Sequence, residues 1–256
     1  MILGFLGTGR ITASVIEGIF KSNLKIKKIY ISSRNKTIAK KLSKRFKKVI
    51  ISKNNQQLID KSNWVFLAIT PEVGKKILKK LNFKKNKKII SFISTINSDQ
   101  IKKIIGKKNK VIRAIPLPPI SIRKGPIPIC PPDKQVKSFF NQLGTTIEIR
   151  NEKSSINFWA TSGIMASFYQ LQNVLSNWLV KRGIKKNVAQ KYITSLFVAL
   201  SEDSLLHSKK DLKYLVKESQ TPRGLNEQAI NQLKKNGFFQ HLEKSLDDIL
   251  KRLNKK

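Results

Sequence analysis

The residue pattern with the clearest chemical meaning is a glycine turn near the N-terminus. Residues 7–12, Gly-Thr-Gly-Arg-Ile-Thr, directly follow a short apolar run and begin an amphipathic stretch. In a strand–turn–helix of this kind, the first glycine permits a tight turn and the second lets the backbone approach a pyrophosphate at the start of the helix. We therefore predict a dinucleotide site, with contacts from Gly7, Thr8, Gly9, Arg10 and Ile11.

The same glycine turn admits other interpretations. An ordinary strand-to-helix turn without a ligand would have a similar sequence, and Thr12 departs from the Gly or Ala of the fingerprint. We expect the branched side chain of Thr12 to push the helix slightly away from the strand. The phosphate-binding loop of nucleotide hydrolases is excluded, because Arg10 and Ile11 stand where that loop needs Lys and then Ser or Thr.

The end of the second apolar run indicates which dinucleotide is bound. A site for NAD carries Asp or Glu about 20 residues after the glycines, where it accepts hydrogen bonds from the ribose hydroxyls. This chain has no acid there and reads instead Ser32, Ser33, Arg34, Asn35 and Lys36. Hydroxyl and cationic groups suit a 2′-phosphate, so we predict NADPH in preference to NADH, with contacts from Ser32, Ser33, Arg34 and Asn35. A solvated basic helix start is the alternative.

Short β-branched runs alternate with amphipathic stretches through about residue 150. This alternation is typical of βαβ units and predicts an α/β fold, a Rossmann-like, doubly wound N-terminal domain with a mostly parallel sheet. The predicted strands are 2–6, 26–31, 49–52, 64–69, 88–93, 111–115, 127–130 and 145–149. The predicted helices between them are 11–20, 37–46, 56–61, 73–81, 98–105 and 133–142.

After residue 151 the apolar period becomes helical almost to the end of the chain. The predicted helices are 156–181, 188–207, 212–218, 223–235 and 238–253. The last has one apolar stripe, formed by Phe238, Leu242, Leu246, Ile249, Leu250 and Leu253. Several helices are apolar on more than one side, so we expect an all-α C-terminal domain that forms a homodimer or higher oligomer. The predicted domains are residues 1–150 and 151–256.

Composition excludes several classes of protein. A single Cys130 and only two histidines, His207 and His241, allow neither a disulfide-linked scaffold nor a zinc cluster, so we expect no metal. Cys130 ends an apolar run and is interpreted as an inert buried thiol. The N-terminus lacks the features of a signal peptide, and no segment has the ~18 apolar residues needed to cross a bilayer. A cytoplasmic protein without a membrane anchor is expected.

The strong positive charge does not by itself indicate a nucleic-acid-binding protein. The chain carries 52 Lys and Arg against 15 Asp and Glu, a net charge of +37. Its lysines are spread over nearly the whole sequence, whereas a nucleic-acid-binding protein usually concentrates charge on one face with interleaved aromatic residues. We therefore favour a solvated surface with non-specific attraction for anions, and a dedicated nucleic-acid site is the alternative.

Further motifs, taken in order, resemble those of the pyrroline-5-carboxylate reductase family. Residues 67–71, Leu-Ala-Ile-Thr-Pro, fall where the family has Ala-Val-Lys-Pro, and residues 91–95 fall where it has Ser-Ile-Ala-Ala-Gly. Residues 113–119, Arg-Ala-Ile-Pro-Leu-Pro-Pro, followed by Gly125, resemble Arg-Val-Met-Pro-Asn-Thr-Pro and a later glycine. Residues 161–163 resemble Gly-Ser-Gly, and residues 221–226, Thr-Pro-Arg-Gly-Leu-Asn, resemble Thr-Pro-Gly-Gly-Thr-Thr.

The resemblance implies an NADPH-dependent reductase of a C=N bond, with pyrroline-5-carboxylate and proline biosynthesis as the expected substrate and role. The substrate, a carboxylated imine, is then expected between the two domains. Because the cofactor supplies the hydride, no catalytic side chain is assigned. The resemblance adds four cofactor contacts, Ala68, Ile69, Thr70 and Pro71. The implied substrate contacts are Ser162, Gly163, Thr221, Arg223, Gly224 and Asn226.

The chain departs from the family pattern in the substrate segments. The two adjacent threonines expected to hold the substrate carboxylate are replaced by Leu225 and Asn226, and the Asn before Thr-Pro is Leu117. Either the substrate is larger or more apolar, or Arg223, just inside a helix start, binds the carboxylate instead. Leu117 and Leu225 could also be ordinary core residues. Alternatives therefore stay open: a divergent imine or carbonyl reductase, or a non-catalytic nucleotide-binding protein.

Overall fold

The chain divides into two compact units. The computed structural model describes residues 1–84, 87–93 and 95–254. The first unit is Met1–Trp159, and the second begins at Ala160. The boundary falls within a helix, Glu152–Ser162.

An eight-stranded sheet forms the centre of the first unit. Its strands are β1 (Ile2–Leu6), β2 (Lys28–Ile31), β3 (Val49–Ile51), β4 (Trp64–Leu67), β5 (Lys88–Ser91), β6 (Lys110–Ala114), β7 (Pro126–Cys130) and β8 (Thr145–Glu148). The strands lie in the order β3-β2-β1-β4-β5-β6-β7-β8. Neighbouring strands are parallel, except that β6 and β7 run antiparallel. The predicted doubly wound α/β fold is confirmed.

The reversal between β6 and β7 was not predicted, and the length of the connection explains it. A parallel crossover needs a dozen or more residues and usually a helix. Between Ala114 and Pro126 the structure has only a short 3-10 turn, Pro118–Ile122. This proline-rich segment packs against the first helix of the unit and returns the chain beside β6 in the opposite direction.

Among the described residues of the first unit, six α-helices connect the strands. They are α1 (Arg10–Lys21), α2 (Lys36–Arg45), α3 (Asn55–Lys61), α4 (Pro71–Ile77), α5 (Ser98–Ile105) and α6 (Lys134–Asn141). Four of them have an N-cap residue whose side chain accepts a hydrogen bond from the backbone N–H three residues later. These N-cap residues are Asn35, Asn54, Asn97 and Asp133. Asn and Asp favour this position because the side-chain oxygen satisfies a backbone N–H of the first helical turn.

Apolar side chains fill both faces of the sheet. On β4, Trp64 and Phe66 belong to one core cluster, whereas Val65 and Leu67 belong to the cluster on the opposite face. Phe66 stacks on Phe5 of β1, with ring centroids 4.4 Å apart. Successive side chains of a strand point to opposite faces, so a strand that reads as one continuous apolar run is covered on both sides.

The second part of the chain is helical, as predicted. Its helices are α7 (Glu152–Ser162), α8 (Met165–Val180), α9 (Lys186–Leu206), α10 (Lys213–Glu218), α11 (Leu225–Lys235) and α12 (Phe238–Asn254). The prediction of a single helix over residues 156–181 is wrong, because a turn at Gly163 and Ile164 interrupts the helix. A Cβ at Gly163 would lie 2.9 Å from the Ala160 carbonyl oxygen and 2.9 Å from Cδ1 of Ile249 on α12. The break thus coincides with close packing against α12.

The helical unit leaves much of its apolar surface exposed in a single chain. Among the described residues from Ala160 onward, the buried hydrophobic residues are only Ala160, Ala189 and Ile193. Large exposed side chains on α8 and α9 include Phe168, Tyr169, Trp178, Tyr192 and Leu206. Such an extensive apolar surface is typical of an interaction site. The predicted excess of apolar surface is confirmed.

Candidate functional site

The candidate site lies at the carboxyl ends of β1, β2 and β4. The chain moves outward from β1 to β2 and β3, and then returns to place β4 on the other side of β1. Loops after β1 and β4 therefore leave the sheet in opposite directions, and this arrangement opens a crevice at the sheet edge where dinucleotides bind in doubly wound folds. The glycine turn follows β1, and residues 68–71 follow β4.

Gly7 lies against the loop that follows β4. Its φ angle is +107°, in the region that favours glycine, and a Cβ at this position would overlap the carbonyl oxygen of Ala68. The same Cβ would lie 2.8 Å from Cγ2 of Ile69. Any larger residue would therefore separate the two loops or strain the turn. The structure thus brings together the glycine turn and residues 68–71, the two segments predicted to share one cofactor site.

Three hydroxyl groups hold the glycine turn in place. The Gly7 N–H donates to Oγ of Ser32 over 3.0 Å, and Oγ1 of Thr8 donates to the Ser32 carbonyl over 2.6 Å. Thr12 is completely buried, and its Oγ1 donates to the Gly7 carbonyl over 2.7 Å. Thr12 was expected to push α1 away from the strand. Its hydrogen bond to Gly7 instead connects α1 to the glycine turn.

The first turn of α1 fits a pyrophosphate. Gly9 is the N-terminal flanking residue of α1; no side chain caps the helix, and its first turn contains no acid. A Cβ at Gly9 would meet no heavy atom within 4 Å, so the space beside it is open. The first backbone N–H groups of a helix lack intrahelical partners and attract anions. Gly9, the exposed Arg10 and the half-buried Ile11 are therefore suitable for holding a phosphate group.

The segment after β2 divides into a buried part and an exposed part. Ser32 is only 4% exposed, whereas Ser33, Arg34 and Asn35 are exposed. The side-chain oxygen of Asn35 accepts a hydrogen bond of 3.1 Å from the Ile38 N–H and so caps α2. The exposed hydroxyl of Ser33 and the guanidinium of Arg34 are the groups of this segment best placed to meet a phosphate in solution.

The loops after β4 and β5 complete this edge of the sheet. Ala68, Ile69 and Pro71 are half-buried, and the exposed Thr70 is the residue before α4. Buried Ser91, at the end of β5, accepts a hydrogen bond of 3.2 Å from the Ile93 N–H. Ser94, within the segment 91–95 that resembles a family motif, lies outside the described residues.

A buried charged pair that was not predicted from the sequence lies at the same edge of the sheet. Arg113 aligns with Ser91 across β5 and β6, and its Nη1 donates to Oε1 of Glu152 over 2.8 Å. Oε1 also accepts from the Ser98 N–H over 2.8 Å, and the guanidinium lies 4.0 Å from the ring centroid of Trp159. Burial lowers the pKa of Arg113, and the bond to Glu152 opposes that shift. An arginine within an apolar strand was the available signal, since buried charges are almost always paired.

Cys130 lies beside this pair. It aligns with Arg113 across β6 and β7 and is buried. Burial raises the pKa of its thiol, Glu152 raises it further, and Arg113 opposes the change. The thiol is therefore protonated at neutral pH, in agreement with its interpretation as an inert buried group.

Two of the predicted substrate contacts lie where α7 ends. Ser162 is the last residue of α7 and is half-buried. Gly163 follows it, and its N–H donates to the Ala160 carbonyl over 2.9 Å. Close contact with Ile249 gives Gly163 a packing role within the helical unit.

The turn at residues 221–226 differs from the expected helix start. Arg223 was predicted just inside a helix; in the structure it has a φ of +60°, and α11 begins only at Leu225. Its backbone N–H donates to Oε2 of Glu227 over 2.6 Å. The helix starts later because the left-handed Arg223 and the extended Gly224 cannot belong to a helix.

The side chains of this turn point to different roles. Thr221, Arg223 and Asn226 are exposed, but Nδ2 of Asn226 donates to the Ser219 carbonyl over 2.7 Å. Leu225 is 85% exposed, so a core role for it is wrong in the single chain. Half-buried Leu117 precedes the 3-10 turn of the first unit.

Within residues 1–84, 87–93 and 95–254, no three His, Cys, Asp or Glu side chains lie close enough together to hold a metal ion. Over the same residues, no helix combines the length and apolar character needed to span a bilayer.

Comparisons with known proteins agree with this architecture. Residues 2–97 match the family model described as "NADP oxidoreductase coenzyme F420-dependent", and residues 155–256 match "Pyrroline-5-carboxylate reductase dimerisation". No curated protein sequence matches the chain significantly.

Solved structures of pyrroline-5-carboxylate reductases share the fold. The enzyme from Streptococcus pyogenes superposes with a TM-score of 0.85 at 22% identity, over 100% of this chain and 99% of that one. The protein from Coxiella burnetii gives 0.84 at 21% identity, and that from Plasmodium falciparum, solved with NADP bound, gives 0.83 at 20%. Both cover 99% of this chain and 97% of their own.

The fold and the two matched regions define a Rossmann-type oxidoreductase with a helical dimerisation region. The N-terminal match is to an NADP oxidoreductase model and the C-terminal match is to the dimerisation region of pyrroline-5-carboxylate reductases, so the chain resembles the pyrroline-5-carboxylate reductase family in its two-part organisation. At about one residue in five identical, the solved relatives support the fold alone.

Proposed function

We propose that this protein reduces a cyclic imine with NADPH and that its substrate is pyrroline-5-carboxylate, which would place it in proline biosynthesis. The observation that carries this proposal is the packing of Gly7 on Ala68 at the switch point of the sheet, beside the uncapped start of α1. The match of the helical region to a dimerisation domain of this family supports it. In the same family, the Plasmodium falciparum protein was solved with NADP bound.

The chain contributes cofactor binding and orientation. The backbone N–H groups of Gly9, Arg10 and Ile11 at the start of α1 would hold the pyrophosphate. The loop after β4, Ala68 to Pro71, would line the adjoining side of the cofactor site. When bound, the dinucleotide supplies the hydride. A protonated cyclic imine is already electrophilic, so holding it in the correct orientation accounts for most of the catalytic task. No side chain is assigned as a general acid.

Preference for NADPH is assigned to Ser33 and Arg34. Both are exposed at the end of β2, and no acid stands there to accept from the ribose hydroxyls of NADH. A guanidinium binds phosphate through charge-assisted hydrogen bonds, which are stronger than neutral ones. Asn35 retains its amide N–H groups for the cofactor, since its oxygen caps α2.

The substrate carboxylate is assigned to the turn at residues 221–226, with Arg223 as the cationic group. Its guanidinium is the only cation among these six residues. The backbone N–H groups of Arg223 and Gly224 already donate to Glu227 and to the Thr221 carbonyl, so an incoming carboxylate would meet the Arg223 guanidinium and the exposed Thr221 hydroxyl. Ser162 and Gly163 are proposed as further contacts.

An assembly of at least two chains is part of the proposal. A second chain would bury the exposed apolar side chains of α8 and α9, and residues 155–256 match a dimerisation domain. Light scattering at micromolar concentration should report a homodimer or a larger closed oligomer. An active monomer would contradict this part of the proposal. We also propose a cytoplasmic location.

A substrate screen tests the proposed reaction. NADPH oxidation is followed with pyrroline-5-carboxylate, with piperideine carboxylates and with cyclic imines that lack a carboxylate. Saturable oxidation with the carboxylated imines alone supports the proposal. Oxidation only with imines that lack a carboxylate, or with carbonyl compounds, would identify a reductase with a different substrate. NADPH binding without oxidation of any compound would indicate a non-catalytic nucleotide-binding protein.

A further inference from the structure

We propose that Ser32 is a positioning residue that fixes the glycine turn and does not bind the cofactor. This inference rests on the proposed dinucleotide site. It divides the segment after β2 into one residue that shapes the site and exposed neighbours that distinguish NADPH from NADH. From the sequence alone, Ser32 is expected to contact the 2′-phosphate.

The hydrogen bonds of Ser32 leave it no proton to donate to a phosphate. A serine or threonine hydroxyl has one proton and two lone pairs. Thr8 gives its proton to the Ser32 carbonyl over 2.6 Å. In the contact of 3.1 Å between the two hydroxyl oxygens, the proton must therefore come from Ser32. The Ser32 oxygen also accepts from the Gly7 N–H over 3.0 Å, and a phosphate oxygen needs a donor rather than another acceptor.

Burial points to the same conclusion. Ser32 is 4% exposed and Thr8 is 3% exposed, so both hydroxyls lie beneath the surface that a ligand would reach. Ser33 and Arg34, the next two residues, are exposed. The contact surface for a cofactor therefore begins after Ser32.

The network fixes both backbone polar groups of Gly7. Ser32, at the end of β2, binds its N–H, and Thr12 on α1 binds its carbonyl. Gly7 is also the residue with a φ of +107° that packs on Ala68. A turn that is held in the binding geometry before the ligand arrives loses less conformational entropy on binding. Ser32 thus contributes to the affinity for any dinucleotide, with or without a 2′-phosphate.

Dissociation constants for NADPH and NADH test the division of roles. Ser32→Ala should weaken binding of both dinucleotides by a similar factor, roughly 5- to 30-fold, which corresponds to the loss of a buried hydrogen-bond partner. Arg34→Ala should weaken NADPH alone. Ser32→Thr keeps the hydroxyl and should restore much of the affinity for both. Ser43→Ala is the matched control, because the Ser43 hydroxyl donates to the Lys40 carbonyl within its own helix, α2.

Amide hydrogen exchange at Gly7 in the cofactor-free protein provides a second measurement. Exchange should accelerate in Ser32→Ala and in Thr8→Val, which removes one hydroxyl at nearly constant volume, and should not change in Ser43→Ala. Selective loss of NADPH affinity in Ser32→Ala would overturn the inference, as would unchanged exchange at Gly7. If the wild-type protein binds neither dinucleotide, the proposed function fails, whereas the exchange rates still decide whether Ser32 positions the turn.

Discussion

Arg113 on β6 and Glu152 on α7 form an ion pair in which the arginine is almost completely buried. Nη1 donates to Oε1 over 2.8 Å, and the side chains are 5% and 27% exposed. The same carboxylate oxygen accepts from the Ser98 N–H, at the start of α5. Glu152 therefore connects two helices to the carboxyl edge of the sheet. If one partner of such a pair is removed, the other remains as an uncompensated buried charge.

Removal of Glu152 should destabilise the protein strongly. Glu152→Ala leaves the Arg113 guanidinium buried without its carboxylate, a change that costs about 3–5 kcal/mol in the free energy of unfolding. Glu148→Ala is the control, because the ion pair of Glu148 with Lys137 is more exposed and such pairs contribute about 0–1 kcal/mol. Urea unfolding of both variants measures the difference. Equal, small effects would show that the buried pair is not important for stability.

Asp133 should make the protein sensitive to acid. Its side chain is 5% exposed, and it accepts from Lys88 and Lys110 over 2.9 and 2.7 Å. Burial alone would raise the pKa of Asp133, but hydrogen bonds from Lys110, the Val136 N–H and Lys88 lower it well below its usual range. A carboxyl with a lowered folded pKa stabilises the protein above its unfolded pKa of about 3.9, and this stability is lost as pH falls towards the folded value.

Unfolding at a series of pH values tests this prediction. Asp133→Asn should be less stable than the wild type at pH 7 and should lose less additional stability as the pH falls below about 4. Asp99→Asn is the control, because the Asp99 side chain is 82% exposed and its carboxylate pairs with Lys102 on the same helix. Parallel stability curves for wild type and Asp133→Asn would contradict the prediction.

Arg34 should determine cofactor preference. With no acid at the end of β2 and an exposed guanidinium present, NADPH should bind at least ~10-fold more tightly than NADH, the effect of one charge-assisted contact. Arg34→Ala should remove most of that preference by weakening NADPH binding. Lys41→Ala, an exposed cation farther along α2, controls for a general loss of positive charge. Fluorescence titration measures both affinities, and equal wild-type values would disprove the assignment.

Arg223 should control the Michaelis constant of a carboxylated imine. Arg223→Ala removes the proposed charged hydrogen bond and should raise KM roughly 10- to 150-fold without changing NADPH affinity. Leu225→Thr with Asn226→Thr restores the hydroxyls of the family pattern and should improve turnover of pyrroline-5-carboxylate. Steady-state kinetics provide the measurement. Wild-type values in Arg223→Ala would mean that the guanidinium faces solvent and has no role in binding.

Local periodicity was sufficient to predict the order and type of most elements. All eight strands were predicted from β-branched runs, and the glycine turn was placed correctly between β1 and α1. Apolar helices in the second half led to the expected exposed surface on α8 and α9. These features depend on neighbouring residues along the chain, since alternation and helical periods arise from backbone geometry within a few residues.

Only the tertiary structure decided which polar groups form hydrogen bonds with distant parts of the protein. Ser32 binds Gly7 across 25 positions of sequence, and Arg113 binds Glu152 across 39. The helix break at Gly163 coincides with its contact with Ile249 on another helix. Such contacts join residues that are distant along the chain, and the local periodicity that predicts strands and helices does not show which distant residues meet. A serine at the end of β2 therefore predicts a polar site, but only its partners show that it supports the turn beside it.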